Sequence, residues 1–461
     1  MCVVLLGVSL FASAQDQPPQ SAPPGATGAT QAQGRTSQRA ADIGYDALVA
    51  RLDNRDPVVR REACKKLGEL GDRRATEPLS RMVRDLDEET RYRAVEALGG
   101  MLDRKAIPAF SDATRDPSRR VKLSAIEGIV TLYATPPSSS NSLTAPITNA
   151  FHHAIDLFRQ APDDLIVPPG TPVDPGAIAA LGAAVGDPDD ETARSAARAA
   201  GVLRGTGAVP AMSQVLFHAP PSVKIEIMKA FQKIRDPRAI PDVARLLKSN
   251  DKGTRAQACY TLGLLGAKDQ IGPLQKVYQE DRDKDVRHSA FEAISLMPEP
   301  QHAEWFLKFL DDPDDRMREF AADGLGRVPN SALPAGAVEK IATRRAGEKR
   351  ERVKLALAFA LAAHGEDGML AELMQSLDST LHRQYGIAYL TELGRDATRL
   401  PKFYPYLKSE KTDIRRYLCE VLAAIANPAA LEYVRPLIHD SKDDVITEAI
   451  RTVQVLERYQ K

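Results

Sequence analysis

His152, His153 and Asp156 come nearest, by type and spacing, to metal chemistry. His152 and Asp156 stand at i and i+4, so a helix through them would put an imidazole and a carboxylate on one face. No clear fourth ligand accompanies them, and the expectation is that no metal binds there. The four cysteines invite a disulfide or a thiolate. Cys2 lies inside an apolar N-terminal run, and Cys64, Cys259 and Cys419 are at least 160 residues apart. Eight histidines are scattered along the chain, none followed by Glu. No nucleophile elbow, phosphate-cradling glycine loop or zinc spacing occurs. The residues therefore point to a protein without catalytic, cofactor or metal sites. His152 and His153 remain candidates for contact with a partner.

What would position any of these residues is a repeat. The string DPVVRREACKKLG begins at Asp56 and DEETRYRAVEALG at Asp87. In both, a basic residue stands four after the Asp, Ala seven after it, and Leu-Gly closes the string. The equivalent positions are Arg60, Arg91, Lys122, Arg194, Lys224, Arg255, Arg287, Arg318, Lys354, Arg383, Arg415 and Ile446. Their spacings are 31, 31, 72, 30, 31, 32, 31, 36, 29, 32 and 31, so one insertion interrupts an otherwise regular array.

Each unit reads as an apolar first helix, a turn rich in Asp, Pro and Asn, and a second helix beginning near the basic residue. Positions +3, +4 and +7 after that residue are apolar, as in Ala63, Cys64 and Leu67, which draws a buried stripe at helical period. Arg198 at +4 of the fourth unit departs from it. Cys64, Cys259 and Cys419 all hold +4, so they read as small core hydrophobes rather than disulfide partners. Asp56, Asp87, Asp315 and Asp413 sit where they can cap second helices. Gly68, Gly99, Gly263 and Gly326 read as helix ends or tight packing, and C-capping is enough to explain them.

The pattern D-P-x-x-V-R-x-x-A-x-x-x-L-G resembles HEAT repeats, in particular the short bacterial HEAT-like class named after phycobilisome lyases. The resemblance covers about residues 43–133 and 175–458. It implies an all-α, right-handed α-α superhelix, a HEAT-like solenoid of about 12 two-helix repeats with one insertion. It also implies a ladder between turn acids and helix bases of adjacent repeats, carried here by Asp56, Arg60, Asp87, Arg91, Lys122, Arg194, Arg255, Arg287, Arg318 and Arg415. Lys224 lacks the turn acid, which Ala219-Pro220-Pro221 replaces, and Ile446 ends the basic row as a cap would. One enzyme of this type, deoxyhypusine hydroxylase, builds its site from His-Glu dipeptides, which this sequence lacks.

The ends and the bulk composition complete the organisation. Residues 1–14 read as a signal peptide: residues 2–12 are apolar, and Ala12-Ser13-Ala14 offers a cleavage site before Gln15. No Lys or Arg precedes the apolar run, so a start codon further upstream is expected. Residues 15–41, rich in Pro, Gln, Gly and Ser, read as a disordered tether. Repeats 1–3 fall at 42–133, an insertion with a loop and one helix at 134–174, and repeats 4–12 at 175–461. Lys plus Arg is 62 and Asp plus Glu is 62, a balance that gives no sign of nucleic-acid binding. The basic run Arg344, Arg345, Lys349, Arg350, Arg352 and Lys354 extends one turn; it reads as solvated, or as a surface for an acidic partner or anionic lipid.

Stacked helix pairs form a long groove suited to a protein or an extended peptide. The expected function is a non-catalytic binding scaffold of the bacterial cell envelope, monomeric, exported to the periplasm or secreted, with no transmembrane segment in the mature chain. It would bind through the groove, through the 134–174 insertion, or both. An enzyme or enzyme accessory of the HEAT-like lyase or hydroxylase type, and a structural envelope spacer, are the alternatives. Second helices are expected to line the groove, with Arg61, Tyr92, His288, Glu319 and Arg416, each one residue after the basic position, as contacts.

Overall fold

Asp56 shows how a unit is built. Its backbone is extended, and its carboxylate accepts from the Val58 N–H at 2.8 Å, satisfying one of the donors that a helix start leaves open. Asp87, Asp189, Asp251, Asp283 and Asp314 cap later second helices in the same way. Asp315 and Asp413 lie one or two residues further in, within the first turn.

The computed structural model describes residues 44–134, 167 and 171–460. Twelve second helices follow one another: α1 (Pro57–Leu70), α2 (Glu88–Met101), α3 (Arg119–Ala134), α4 (Asp190–Val202), α5 (Pro221–Ile234), α6 (Lys252–Leu264), α7 (Lys284–Leu296), α8 (Asp315–Arg327), α9 (Glu351–Ala363), α10 (Arg383–Leu393), α11 (Thr412–Ile425) and α12 (Asp443–Arg458). A shorter first helix precedes each, from residues 44–51 in unit 1 to Leu431–Val434 in unit 12; in unit 11 its place is taken by two 3₁₀ turns. No strand occurs among the described residues. Every second helix packs on the ones before and after it, α3 on α4 included, so the stack runs on across the insertion. The architecture is an all-α solenoid. The insertion histidines His152 and His153, the tether and the signal segment lie outside the described residues.

The apolar stripe is the shared core. Ala63, Cys64 and Leu67 are fully buried, as are Ala258, Cys259 and Leu262. Burial pushes the thiols of Cys64, Cys259 and Cys419 up to about 12, so they are neutral packing groups at any physiological pH. Around Phe291 in unit 7 the core thickens into an aromatic knot, with Trp305 at 4.6 Å and Phe306 at 5.7 Å between ring centroids.

The glycines correct the sequence reading. Caps are made by the residue eleven after the basic position, which is left-handed at Gly71, Leu102, Arg235, Gly266, Gly365 and Ala426. Gly68 and Gly263 lie three residues earlier, inside their helices. A Cβ on Gly263 would come within 2.7 Å of the Ala293 backbone, and one on Gly68 within 2.8 Å of Ala97. They set how closely neighbouring second helices approach. Gly263→Ala should lower stability by about 1–3 kcal/mol in a urea titration. Gly272→Ala, with open space around it, should leave stability unchanged or slightly raised.

The ladder exists, with a different acid. Arg60 donates to Asp85 through Nε and Nη2, both at 2.7 Å, and its Nη1 reaches the carbonyls of Asn54 and Arg55. One guanidinium thus holds the turn of its own unit and the turn of the next. Arg91 on Asp116, Lys122 on Asp187, Arg255 on Asp281, Arg318 on Glu348 and Arg415 on Asp440 repeat the bond. The ladder acid stands two residues before the N-cap position, which is itself an acid at Asp87, Asp189 and Asp283. Asp56 and Asp87 are therefore caps rather than ladder acids: Asp87 accepts from its own helix at the Thr90 N–H and from Arg61, and leaves Arg60 to Asp85. Arg194 reaches only the Asp190 carbonyl, and Arg287 only the carbonyls of Asp281 and Arg282.

Candidate binding groove

The second helices carry the site. Five residues after the basic position, one turn beyond the expected contacts, stand Lys229, Tyr260, Glu292, Asp323 and Phe359 in units 5 to 9. The row bends toward itself. The Arg327 guanidinium on α8 holds Glu392 on α10 bidentately, at 2.9 Å from Nε and 2.9 Å from Nη2, passing over α9. Helices in contact lie 8–10 Å apart, so α8 and α10 in a straight row would be roughly 18 Å apart. That span is too wide for these two side chains unless the row is concave.

Between α4, α5 and α6 the concave row opens into a cavity of about 500 Å³ lined by Arg204, Lys229, Gln232, Lys233, Arg235, Gln257 and Tyr260. Four of the seven are cations, and no acid stands among these described residues. Lys229 and Lys233 are one turn apart on α5; Gln257 and Tyr260 face them from α6. Gln232 is held by a 2.7 Å bond from its amide to the Thr261 hydroxyl. Arg204 and Arg235 follow the ends of α4 and α5, and both have left-handed backbones, with φ of 50° and 57°. Burial and then the neighbouring Arg235 charge lower the Arg204 pKa, while the Tyr459 phenol at the end of α12 acts in the opposite sense. The last unit is thus within electrostatic reach of the cavity.

Beyond Tyr260 the sign reverses. Its phenol, raised by burial, feels Glu292 on one side and Arg235 on the other. Burial pushes Glu292 up to about 7, with the nearby Asp323 adding to it. Glu319 is pushed up to about 7 by the same cause, against the Arg352 guanidinium 3.0 Å away. Asp323 is raised by burial, accepts from the Tyr389 hydroxyl, and leaves Oδ1 without a hydrogen bond. Phe359 stacks on Tyr389 at 4.7 Å. Units 8 to 10 therefore close their part of the row with their own side chains, whereas among the described residues units 4 to 6 line a cavity.

The expected contact residues meet different fates. His288 and Glu319 are only 5% exposed, because a side chain one residue after the basic position turns into the seam between adjacent second helices. They are not open groove contacts. His288 bonds Asp314 at 3.1 Å. Arg61 bonds the capping acid Asp87, Tyr92 lies under the Arg120 guanidinium at 3.5 Å, and Arg416 reaches Asp444 at 3.4 Å. The basic run is absorbed as well: Arg344 pairs with Glu348, Arg345 with Glu372, Arg350 with Asp315 and Arg352 with Glu319. No metal-holding group of three His, Cys, Asp or Glu occurs among the described residues, and no helix among them is long and apolar enough to cross a membrane. The cavity residues escaped the sequence reading. Their signal was Arg235, eleven after the basic position, where units 1, 6 and 9 carry glycine.

The family model for HEAT repeats matches residues 45–130, 209–295 and 273–362, more than half of the chain. No curated protein matches it. Similar solved structures include the karyopherin Kap121p bound to the extreme C-terminus of the protein phosphatase Cdc14p, at 13% identity and a TM-score of 0.40, covering 90% of this chain and 49% of that one. Kap121p bound to RanGTP is similar at 14% identity, a TM-score of 0.40 and the same coverage. Importin beta is similar at 12% identity and a TM-score of 0.39, covering 89% of this chain and 67% of that one. The chain spans about half the length of Kap121p.

Proposed function

The chain belongs to the HEAT-repeat family, and from that premise we propose that it is a non-catalytic scaffold that binds a protein or an extended peptide in the concave row of its second helices. The open cavity at units 4 to 6 carries this reading. It is the place on that row where side chains of three successive units, Arg204, Gln232, Arg235 and Tyr260 among them, line a cavity of about 500 Å³. Buried neutral thiols, His288 held by Asp314 and paired arginines elsewhere support a binding role over catalysis. The apolar run and Ala12-Ser13-Ala14 support export to a bacterial envelope, and a mature protein whose N-terminal sequence begins at Gln15 is the check on that part.

A photo-crosslinking residue placed at Tyr260 in the full chain should trap one protein partner in its native extract. The same residue at Glu304, exposed on the first helix of unit 8, should trap none. Equal labelling from both positions, or none from Tyr260, would remove the groove as the binding face. Loss of the Tyr260 product when residues 135–166 are replaced by a linker would assign binding to the insertion and the groove together.

A further inference from the structure

We propose that a second cavity, between the first helices of units 7 and 8, binds a neutral saccharide of one or two pyranose rings. It lies on Ile271–Glu280 and on the turn and helix that lead to Phe309, away from the second helices of the concave row, so it goes beyond the binding role proposed above. Its volume is about 510 Å³. Gln275, Tyr278 and Gln279 line one side, and Glu299, His302 and Trp305 the other. First helices in contact stand roughly 10 Å apart, which suits a compact ligand rather than an extended chain.

The rings are the first reason. Trp305 is the chain's one tryptophan, and the place it holds, thirteen before the basic position, is Ala47, Pro78, Ala109 and Ala211 in units 1, 2, 3 and 5. The repeat itself does not call for a large ring there. Trp305 is fixed against Phe291 at 4.6 Å and edge-on to Tyr278 at 5.6 Å and Phe309 at 5.5 Å, yet it and Tyr278 are only half-buried. Two rings held in place thus border open space, and little ordering is left for a ligand to impose. The electron-rich face of an indole or phenol attracts the weakly positive C–H groups on the flat side of a pyranose.

The polar groups are the second reason. His302 is 3% exposed, and its Nδ1 accepts from the Glu299 N–H at 3.0 Å. Burial lowers its pKa, so the ring is neutral and its proton sits on Nε2. Gln275 lies 3.0 Å from that nitrogen. Its carbonyl must accept there, which leaves the Gln275 NH2 without a partner. The Trp305 Nε1–H, the Tyr278 hydroxyl and the Gln279 amide also make no hydrogen bond among the described residues. These groups both donate and accept, as sugar hydroxyls do. Charge is balanced: Lys268 and Glu299 are the charged residues of the described lining, and the Glu299 carboxylate already accepts from Gln301 at 2.6 Å. Neither a phosphate nor a cation is selected.

Trp305 supplies the readout. Its emission in the full chain should shift to the blue, saturably and at millimolar concentration, with at least one of cellobiose, maltose and diacetylchitobiose. Mannitol, which has the hydroxyls without a ring face, should leave it unchanged. Gln279→Leu removes an exposed amide and should weaken binding about fivefold. A Cβ on Gly272, which also lines the cavity, would meet nothing within 4 Å. Gly272→Glu should therefore send a side chain into the space and abolish the shift. Its carboxylate in the first turn suits the helix dipole, so it should melt at or above the wild-type temperature, which separates lost binding from lost folding. No shift with any of the three disaccharides would overturn the proposal, as would an equal shift with mannitol or unchanged affinity in both variants. A shift with a nonaproline peptide and none with the sugars would also overturn it, in favour of a proline-rich peptide site. The Tyr260 crosslink is independent of all these outcomes: its loss with the sugar shift intact would end the concave-row reading alone.

Discussion

Arg327→Ala should cost about 3–5 kcal/mol of stability, more than any single ladder arginine, because removing one partner of a buried ion pair strands the other. The Arg327 side chain is 14% exposed and Glu392 32%. Burial works against the charge on Arg327, and Asp323 and Glu392 outweigh it. Its Nη1 also reaches the Ser295 carbonyl at 3.3 Å, so one guanidinium ties α7, α8 and α10. A bond that skips a unit is unusual in a nearest-neighbour array, where stability is close to a sum over adjacent interfaces. Its loss should thus be felt over several units. Hydrogen exchange in Arg327→Ala should speed up from α7 to α10 and stay unchanged in α1 to α3. The double variant Arg327→Met with Glu392→Leu should recover part of the loss, since Glu392 is no longer left without a partner while Asp323 still loses the Arg327 charge. A single-variant loss below about 1 kcal/mol would make the pair a surface contact.

The contrast between this bond and the ladder explains what the sequence could disclose. A ladder arginine recurs every thirty-odd residues, so its position is legible from periodicity alone. Its partner was harder to identify. Asp85 and Asp87 stand two apart in the same turn, and only the cap geometry decides which faces inward: Asp87 is turned to the Thr90 N–H and leaves Asp85 to Arg60. The apolar stripe was legible down to Cys64, Cys259 and Cys419, because +4 is a core position in nearly every unit, Arg198 and the exposed Ile450 being the exceptions. Arg327 and Glu392 each stand nine after a basic residue, but two units apart. Nothing in a repeat of 31 marks a pairing between alternate units, which depends on how sharply the stack bends. The same limit hid the cavity, whose residues come from three units at different offsets. His288 and Glu319 failed as groove contacts for a related reason. The face of a helix can be read from its period, but the few degrees between seam and groove are set by crossing angles.

Those few degrees have a thermodynamic consequence for units 7 and 8. Glu292 and Glu319 are each pushed up to about 7 by burial, and Asp323 is raised with them. The folded chain then holds protons between about pH 4.5 and 7 that the unfolded chain has released, so stability from this cluster falls as the pH rises through that window. The ladder and capping acids act the other way. Asp281 and Asp440 are lowered chiefly by their arginines; burial opposes the charge on Glu348, but the Arg318 bond together with the Arg350 and Lys349 N–H groups takes it down to about 2. Their contribution is present at neutral pH and is lost only as the pH falls below about 4. The two trends together predict a stability maximum near pH 5. Glu292→Gln removes one member of the upper cluster and relieves the repulsion on the other two. One carboxyl displaced from 4.5 to about 7 corresponds to roughly 3 kcal/mol at 1.36 kcal/mol per unit. Sharing protons among three close carboxyls reduces that to about 2 kcal/mol. The variant should therefore be more stable than wild type by about 2 kcal/mol in urea at pH 8 and equal to it at pH 4.5. A gain of the same size at both pH values would trace the effect to packing rather than to charge. No gain at pH 8 would mean that Glu292 ionises without penalty, and that the concave row at unit 7 is as open to water as the cavity beside it.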